Sequence, residues 1–221
     1  MSAQLALRRG DCYRALPEAE RLRVARAIVA ELLKGFWTRR ATLTPTRALK
    51  RHFKRVTSYD ARCFADDVKS IRFFAVANDA GEHVWAYRGR LRKDTATKLV
   101  FERLEGEEAM RARRLLALRI LSECEAKLGV KAKLVIRKYS ARSAFCELRS
   151  GRVYLNEALL GLGEEAIRYL IAHELVHIKL GTKWHDGEFY RLLYSVVSPE
   201  EVKRAQLKIE EGLLQLGGAR G

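Results

Sequence analysis

The chain has 221 residues, enough for one large domain or two small ones, and 48% of them are hydrophobic, enough for a sizeable core. No apolar run approaches the ~20 residues a membrane-spanning helix needs, and the opening MSAQLALRRGDCYRALPE lacks the apolar segment of a signal peptide, so a soluble, cytoplasmic protein is expected. A net charge of +16 should attract polyanions, nucleic acid first among them, although a thermophile's taste for Lys and Arg accounts for the same excess. Only five Asn and Gln, two Met and 32% charged residues fit a thermophile too.

The charge is uneven. Residues 1–105 carry 23 basic and 12 acidic side chains, and the stretch RRATLTPTRALKRHFKR (39–55) carries seven basic and no acidic ones. In chain order, PEAERLRVARAIVAELLKGF opens on Pro17 and closes after Lys34-Gly35, with Leu22, Ala25, Ile28, Val29, Leu32 and Leu33 as its apolar stripe. TLTPTRALKRHFKRV offers a short second helix with Thr44 as N-cap before Pro45, and SYDARCFADDVKSI a third. IRFFAVANDAGEHVWAYRG then alternates around Asp79-Ala80-Gly81 as a hairpin. Three helices and a hairpin are the elements of a winged helix–turn–helix module, with Arg47, Lys50, Arg51, Lys54 and Arg55 as candidate phosphate contacts. They equally suit an α+β extension of a second domain, in which those cations form a solvated helix face. A boundary is expected at LEGEE (104–108), giving a basic domain over 1–105 and a second domain over 106–221.

The second part begins with a long amphipathic helix (107–129) closed by Gly129, followed by a strand (130–138) and two short strands around Ser150-Gly151 (142–156). A short helix, EALLGLG, leads into EEAIRYLIAHELVHIKL (164–180), which ends at Gly181. Two further helices follow, DGEFYRLLYSVV and PEEVKRAQLKIEEGLLQL. The four cysteines, Cys12, Cys63, Cys124 and Cys146, form no C-x-x-C pair, which removes the zinc-ribbon and thioredoxin readings.

His173, Glu174 and His177 make H-E-x-x-H on the 164–180 helix. Residues four apart share a helix face, so both imidazoles can reach one Zn2+, while Glu174 leans towards its open side as general base. A working site needs a third ligand. His185 lies past the Gly181 stop, where the returning chain comes alongside, with Phe189 one turn later as an anchor; Glu200 and Glu201 are the rivals. Asp186 is a candidate to orient a ligand imidazole. Arg168, Tyr190 and Tyr194 are candidates to stabilise an oxyanion.

The stretch RVYLNEALLGLGEEAIRYLIAHELVHIKLGTKWHDGEFYRLL resembles the core of the YgjP-like and SprT-like zinc metallopeptidases, over about residues 130–197. The resemblance implies an α+β fold with a minimal zincin-type domain, a small mixed sheet with the active helix on one side, after a mainly helical N-terminal region. It implies metal ligation by His173, His177 and His185, proton transfer by Glu174, and an extended substrate along an edge strand within 142–155. No Cys-rich ribbon follows the core, unlike in many SprT-like proteins, and the His177–His185 interval is slightly longer than the YgjP-like pattern. The expected function is a zinc metalloendopeptidase, on proteins associated with or crosslinked to DNA. The alternatives are a DNA-binding regulator with a structural or inactive zinc site, and a hydrolase of non-peptide amides.

Overall fold

A computed structural model of the chain describes residues 12–36, 39–77, 84–92, 98–140 and 142–218. The expected turn at Asp79-Ala80-Gly81 lies outside the described residues. The fold is α+β, and the chain divides into two compact units, Met1–Gly106 and Glu107–Gly221.

In the first unit, α1 (Glu18–Leu33) is followed by β1 (Arg40–Leu43), α2 (Pro45–Lys50) and α3 (Ser58–Ser70), then β2 (Phe74–Ala77), β3 (Val84–Leu91) and β4 (Leu99–Leu104). The strands form an antiparallel sheet in the order β1-β4-β3-β2. The three helices and the β2–β3 hairpin match the sequence reading; β1 and β4 add two strands to it. The α1 stripe packs as expected, with Ala25, Ile28, Val29 and Leu33 buried beside Phe64, Phe74 and Phe101. Pro45 opens α2, where a missing N–H costs nothing, and Thr57 with Asp60 forms a reciprocal capping box on α3. Gly89 is required by packing: a Cβ there would sit 2.8 Å from the Phe101 ring and 3.3 Å from Val68.

α4 (Gly106–Leu128) begins at the last residue of the first unit, supplies the first helix of the second, and is closed by Gly129 at φ +64°. Next come β5 (Lys133–Arg137), β6 (Ala144–Glu147) and β7 (Arg152–Asn156). β7 is central: β5 pairs with it in parallel, β6 antiparallel, so the sheet is mixed and β6 is an edge. Gly151, at φ +60°, turns the β6–β7 hairpin. A 3-10 segment (Glu157–Leu162) leads to α5 (Glu164–Leu180), α6 (Gly187–Tyr194) and α7 (Pro199–Gly218). α5 is the hub of this unit and packs on β6, β7, α6 and α7. Its apolar residues Ile167, Leu170, Ile171, Leu175 and Val176 are all buried. Arg119 and Arg168 clamp it to α4 by shared bonds to Glu123 and Glu164 at 2.6–2.8 Å.

All four cysteines are free thiols, Cys124 and Cys146 buried, Cys63 half-buried and Cys12 exposed. No described helix is long and apolar enough to cross a membrane.

Candidate metal centre

α5 places His173 and His177 one turn apart on the face its apolar stripe leaves free. The helix stops where Gly181 takes a left-handed conformation, φ +66° and ψ +19°, which glycine adopts without strain. The chain then reverses, and Asp186 begins α6 by accepting the Phe189 amide at 2.9 Å. This short return sets His185 beside the two helix histidines.

The three Nε2 atoms converge. His173 and His177 are 3.2 Å apart, His173 and His185 3.2 Å, and His177 and His185 3.0 Å. Three corners of a tetrahedron around an ion bonded at about 2.0–2.1 Å lie roughly 3.3–3.4 Å apart, so the nitrogens fit a divalent ion after a small outward adjustment. No other group of three or more His, Cys, Asp or Glu among the described residues is placed to hold a metal. Phe189 is buried beneath the three imidazoles, its ring centroid 4.5–4.9 Å from each of theirs.

The electrostatics favour lone pairs at that point. Burial, then the neighbouring imidazoles, push the His173 pKa down to about 3, so the ring stays neutral. Burial also lowers His177, against an opposing hydrogen bond. That bond is from His177 Nδ1 to the Thr182 carbonyl at 2.9 Å; with the proton there, Nε2 presents its lone pair to the other two. His173 Nδ1 is buried with no hydrogen-bond partner among the described residues. Uncompensated lone pairs crowded within 3.2 Å repel, and a cation relieves the repulsion.

Glu174, 8% exposed, lies next to this cluster. Burial raises its pKa, while a hydrogen bond from the Cys146 thiol and the charge of Lys183 pull the other way. Cys146 comes from β6, and its thiol is pushed up to about 12 by burial and by Glu174. Two open cavities flank the pair. One of roughly 300 Å3 lies along His173, Glu174 and the start of β6, the other of roughly 510 Å3 along the end of β6 and Lys183.

Several residues singled out from the sequence have other work. Arg168 is engaged with Glu123 and Glu164 in the α4–α5 clamp, which removes it as an oxyanion partner. Glu201 caps α7 by accepting the Ser198 amide at 2.8 Å, and Glu200 is exposed in the first turn of that helix. Asp186 is the α6 cap, and the imidazole-orienting role falls to the Thr182 carbonyl. Tyr190 and Tyr194 are each 42% exposed; the Tyr190 ring lies 6.4 Å from that of His185 and 5.8 Å from that of Tyr194. Sequence reasoning missed Thr182, Cys146 and Tyr169, whose ring meets His173 edge-on at 5.7 Å. Only a helical spacing of four from Tyr169 to His173 hinted at the last. Arg47, Lys50, Arg51, Lys54 and Arg55 are exposed on α2 and the turn after it, and form no ion pair among the described residues.

Residues 79–210 match the family model of the YgjP-like metallopeptidase domain. An uncharacterized protein of Aquifex aeolicus is 34% identical over 77 residues, 34% of this chain and 69% of that protein. Another, of Methanocaldococcus jannaschii, is 37% identical over 70 residues, 31% of this chain and 59% of its own length. Among solved structures, the metallopeptidase zymogen abylysin of Pyrococcus abyssi aligns with a TM-score of 0.42 and 29% identity, over 44% of this chain and 95% of that one. The metallopeptidase zymogen jannalysin of M. jannaschii aligns with a TM-score of 0.41 and 25% identity, over 44% and 96%.

Proposed function

Because the chain belongs to the YgjP-like metallopeptidase domain family, we propose that His173, His177 and His185 hold its metal, that the metal is zinc, and that Glu174 is the general base of peptide hydrolysis. The convergence of three imidazole Nε2 atoms within 3.2 Å carries this reading. All-imidazole ligation suits zinc among the common divalent ions. When bound, such an ion supplies an acidified water and a Lewis-acid contact for the scissile carbonyl.

The chain's own residues do the rest. Thr182 and Phe189 fix the imidazole planes, so the ligand set needs little reorganisation. A Glu174 carboxylate oxygen takes a proton from the attacking water and returns it to the departing amine. The edge of β6 offers backbone donors and acceptors for an extended substrate strand.

The substrates are proteins associated with nucleic acid. Support comes from the exposed basic surface of α2 and its turn, with Arg47, Lys50, Arg51, Lys54 and Arg55 as phosphate contacts, within a unit whose order of helices suits a winged helix–turn–helix. Glu174→Gln is the direct test. It should retain about one zinc per chain and lower proteolysis by roughly 10²–10⁴-fold. Equal cleavage by variant and wild type would remove Glu174 from the mechanism.

A further inference from the structure

The roughly 300 Å3 cavity beside His173 and Glu174 is walled by three elements. α5 gives Tyr169 and Leu170, the start of β6 and the residue before it give Ala144 and Ser143, and α7 gives Gln206, Ile209 and Glu210. Leu170 and Ile209 are buried and make the interior apolar. Besides Ser143, Tyr169, His173 and Glu174, the polar lining includes Gln206 and Glu210, four residues apart on α7. Gln206 donates Nε2 to the Tyr169 hydroxyl at 3.1 Å, which leaves its Oε1 as an acceptor without a partner among the described residues. Glu210 is exposed and joins no ion pair among the described residues. Glu165 of α5, by contrast, is paired with Arg204 and Lys208 of α7. Glu210 thus lines the same cavity as His173 and Glu174 and offers a carboxylate there to a cationic side chain.

We propose that this cavity is a subsite for a substrate lysine or arginine adjacent to the scissile bond. The aliphatic stem lies along Leu170, Ile209 and the Tyr169 ring, as long cationic side chains do over apolar surface. The charged head reaches Gln206 Oε1 and the Glu210 carboxylate, a charge-assisted pairing. Antiparallel addition, the pairing β6 already makes with β7, sets the polarity. A substrate added antiparallel to β6 runs its carboxyl-terminal side towards Ser143 and Ala144, so the basic residue follows the cleaved bond. The proposal rests on the metallopeptidase reading and narrows its substrate class. Proteins that bind nucleic acid are rich in these side chains, because phosphates are neutralised by Lys and Arg.

The experiment has two arms, both on the full zinc-loaded chain. In the first, wild type digests a peptide library and the cut sites are mapped by mass spectrometry; Lys and Arg should be enriched directly after the cut. In the second, Glu174→Gln binds matched peptides carrying arginine or norleucine at that position, read by calorimetry. Arginine should bind about 10-fold tighter, and adding Glu210→Lys should abolish or invert that ratio. A flat profile after the cut, or an arginine-to-norleucine ratio unchanged by Glu210→Lys, overturns the subsite. Absence of any peptide cleavage, with the ratio and its Glu210 dependence intact, counts against the peptidase reading and supports the subsite.

Discussion

The side-chain amide of Asn156 uses both donors and both oxygen lone pairs inside the chain. Nδ2 donates to the carbonyls of Tyr139 and Arg142 at 2.9 and 2.8 Å, and Oδ1 accepts the amides of Tyr139 and Ala158 at 3.3 and 3.1 Å. The bonds tie the loop before β6 to the end of β7, which sets where the edge strand begins. Asn156→Asp keeps the shape but turns a carboxylate on two carbonyls; urea unfolding should show a loss of about 3 kcal/mol, and a change under about 0.5 kcal/mol would show the loop held otherwise. Nothing in the sequence around Asn156 announces this, because all four partners are backbone atoms. Asp60 is the counterpart in the first unit. Burial works against its charge, but donors from Cys12, Thr57 and Arg14 outweigh it and hold the carboxyl at about 2. Its folded pKa lies below the unfolded ~3.9, so the stabilisation is present above about pH 4 and lost as pH falls through about 2. Asp60→Asn should cost about 2 kcal/mol at about pH 7 in denaturant melts, with the gap to wild type closing near about pH 2.

At the level of elements, α5 is bounded by Gly163 at φ +92° and Gly181 at φ +66°. A Cβ on Gly181 meets no atom within 4 Å, so Gly181→Ala isolates backbone strain from crowding. It should lower stability by about 1 kcal/mol, with Gly181→Asn recovering much of it, whereas Gly35→Ala, equally uncrowded and without a positive φ, should be near neutral. Thermal melts of the three variants distinguish these outcomes. The helices were legible because period, caps and stops agree along their length, and α5 spans the segment the pattern predicts. The strands β1 and β4 were not. Each is short, and each becomes a strand through its register with the other, Arg40 opposite Glu102 and Leu43 opposite Leu99, a pairing between segments far apart in the chain. The histidine cluster divides the same way. His173 and His177 follow from helical spacing and His185 from the stop at Gly181, whereas the Thr182 carbonyl and the Cys146 thiol reach the site only through the turn and the sheet.

Across the whole molecule, charge has the longest reach. If Arg47, Lys50, Arg51, Lys54 and Arg55 each displace a counterion, log affinity for duplex DNA should fall against log salt with a slope of about −4 to −5. Charge reversal at Lys50, Arg51 and Lys54 should flatten that slope by about 3 units, measured by fluorescence anisotropy across a salt series; an unaltered slope would clear this surface of phosphate contact. The open rim of β6 has a consequence for solubility. A strand free to accept a substrate can also accept another copy of itself and seed sheet-to-sheet association. Here that rim is only four residues long and bracketed by the exposed guanidinium groups of Arg142 and Arg149, while Phe145 is stacked on Tyr154 at 4.5 Å and under the Arg142 charge at 5.4 Å. Two such rims brought together would juxtapose like charges at both ends of a short ladder, so the edge discourages its own kind while remaining open to a chain of different sequence.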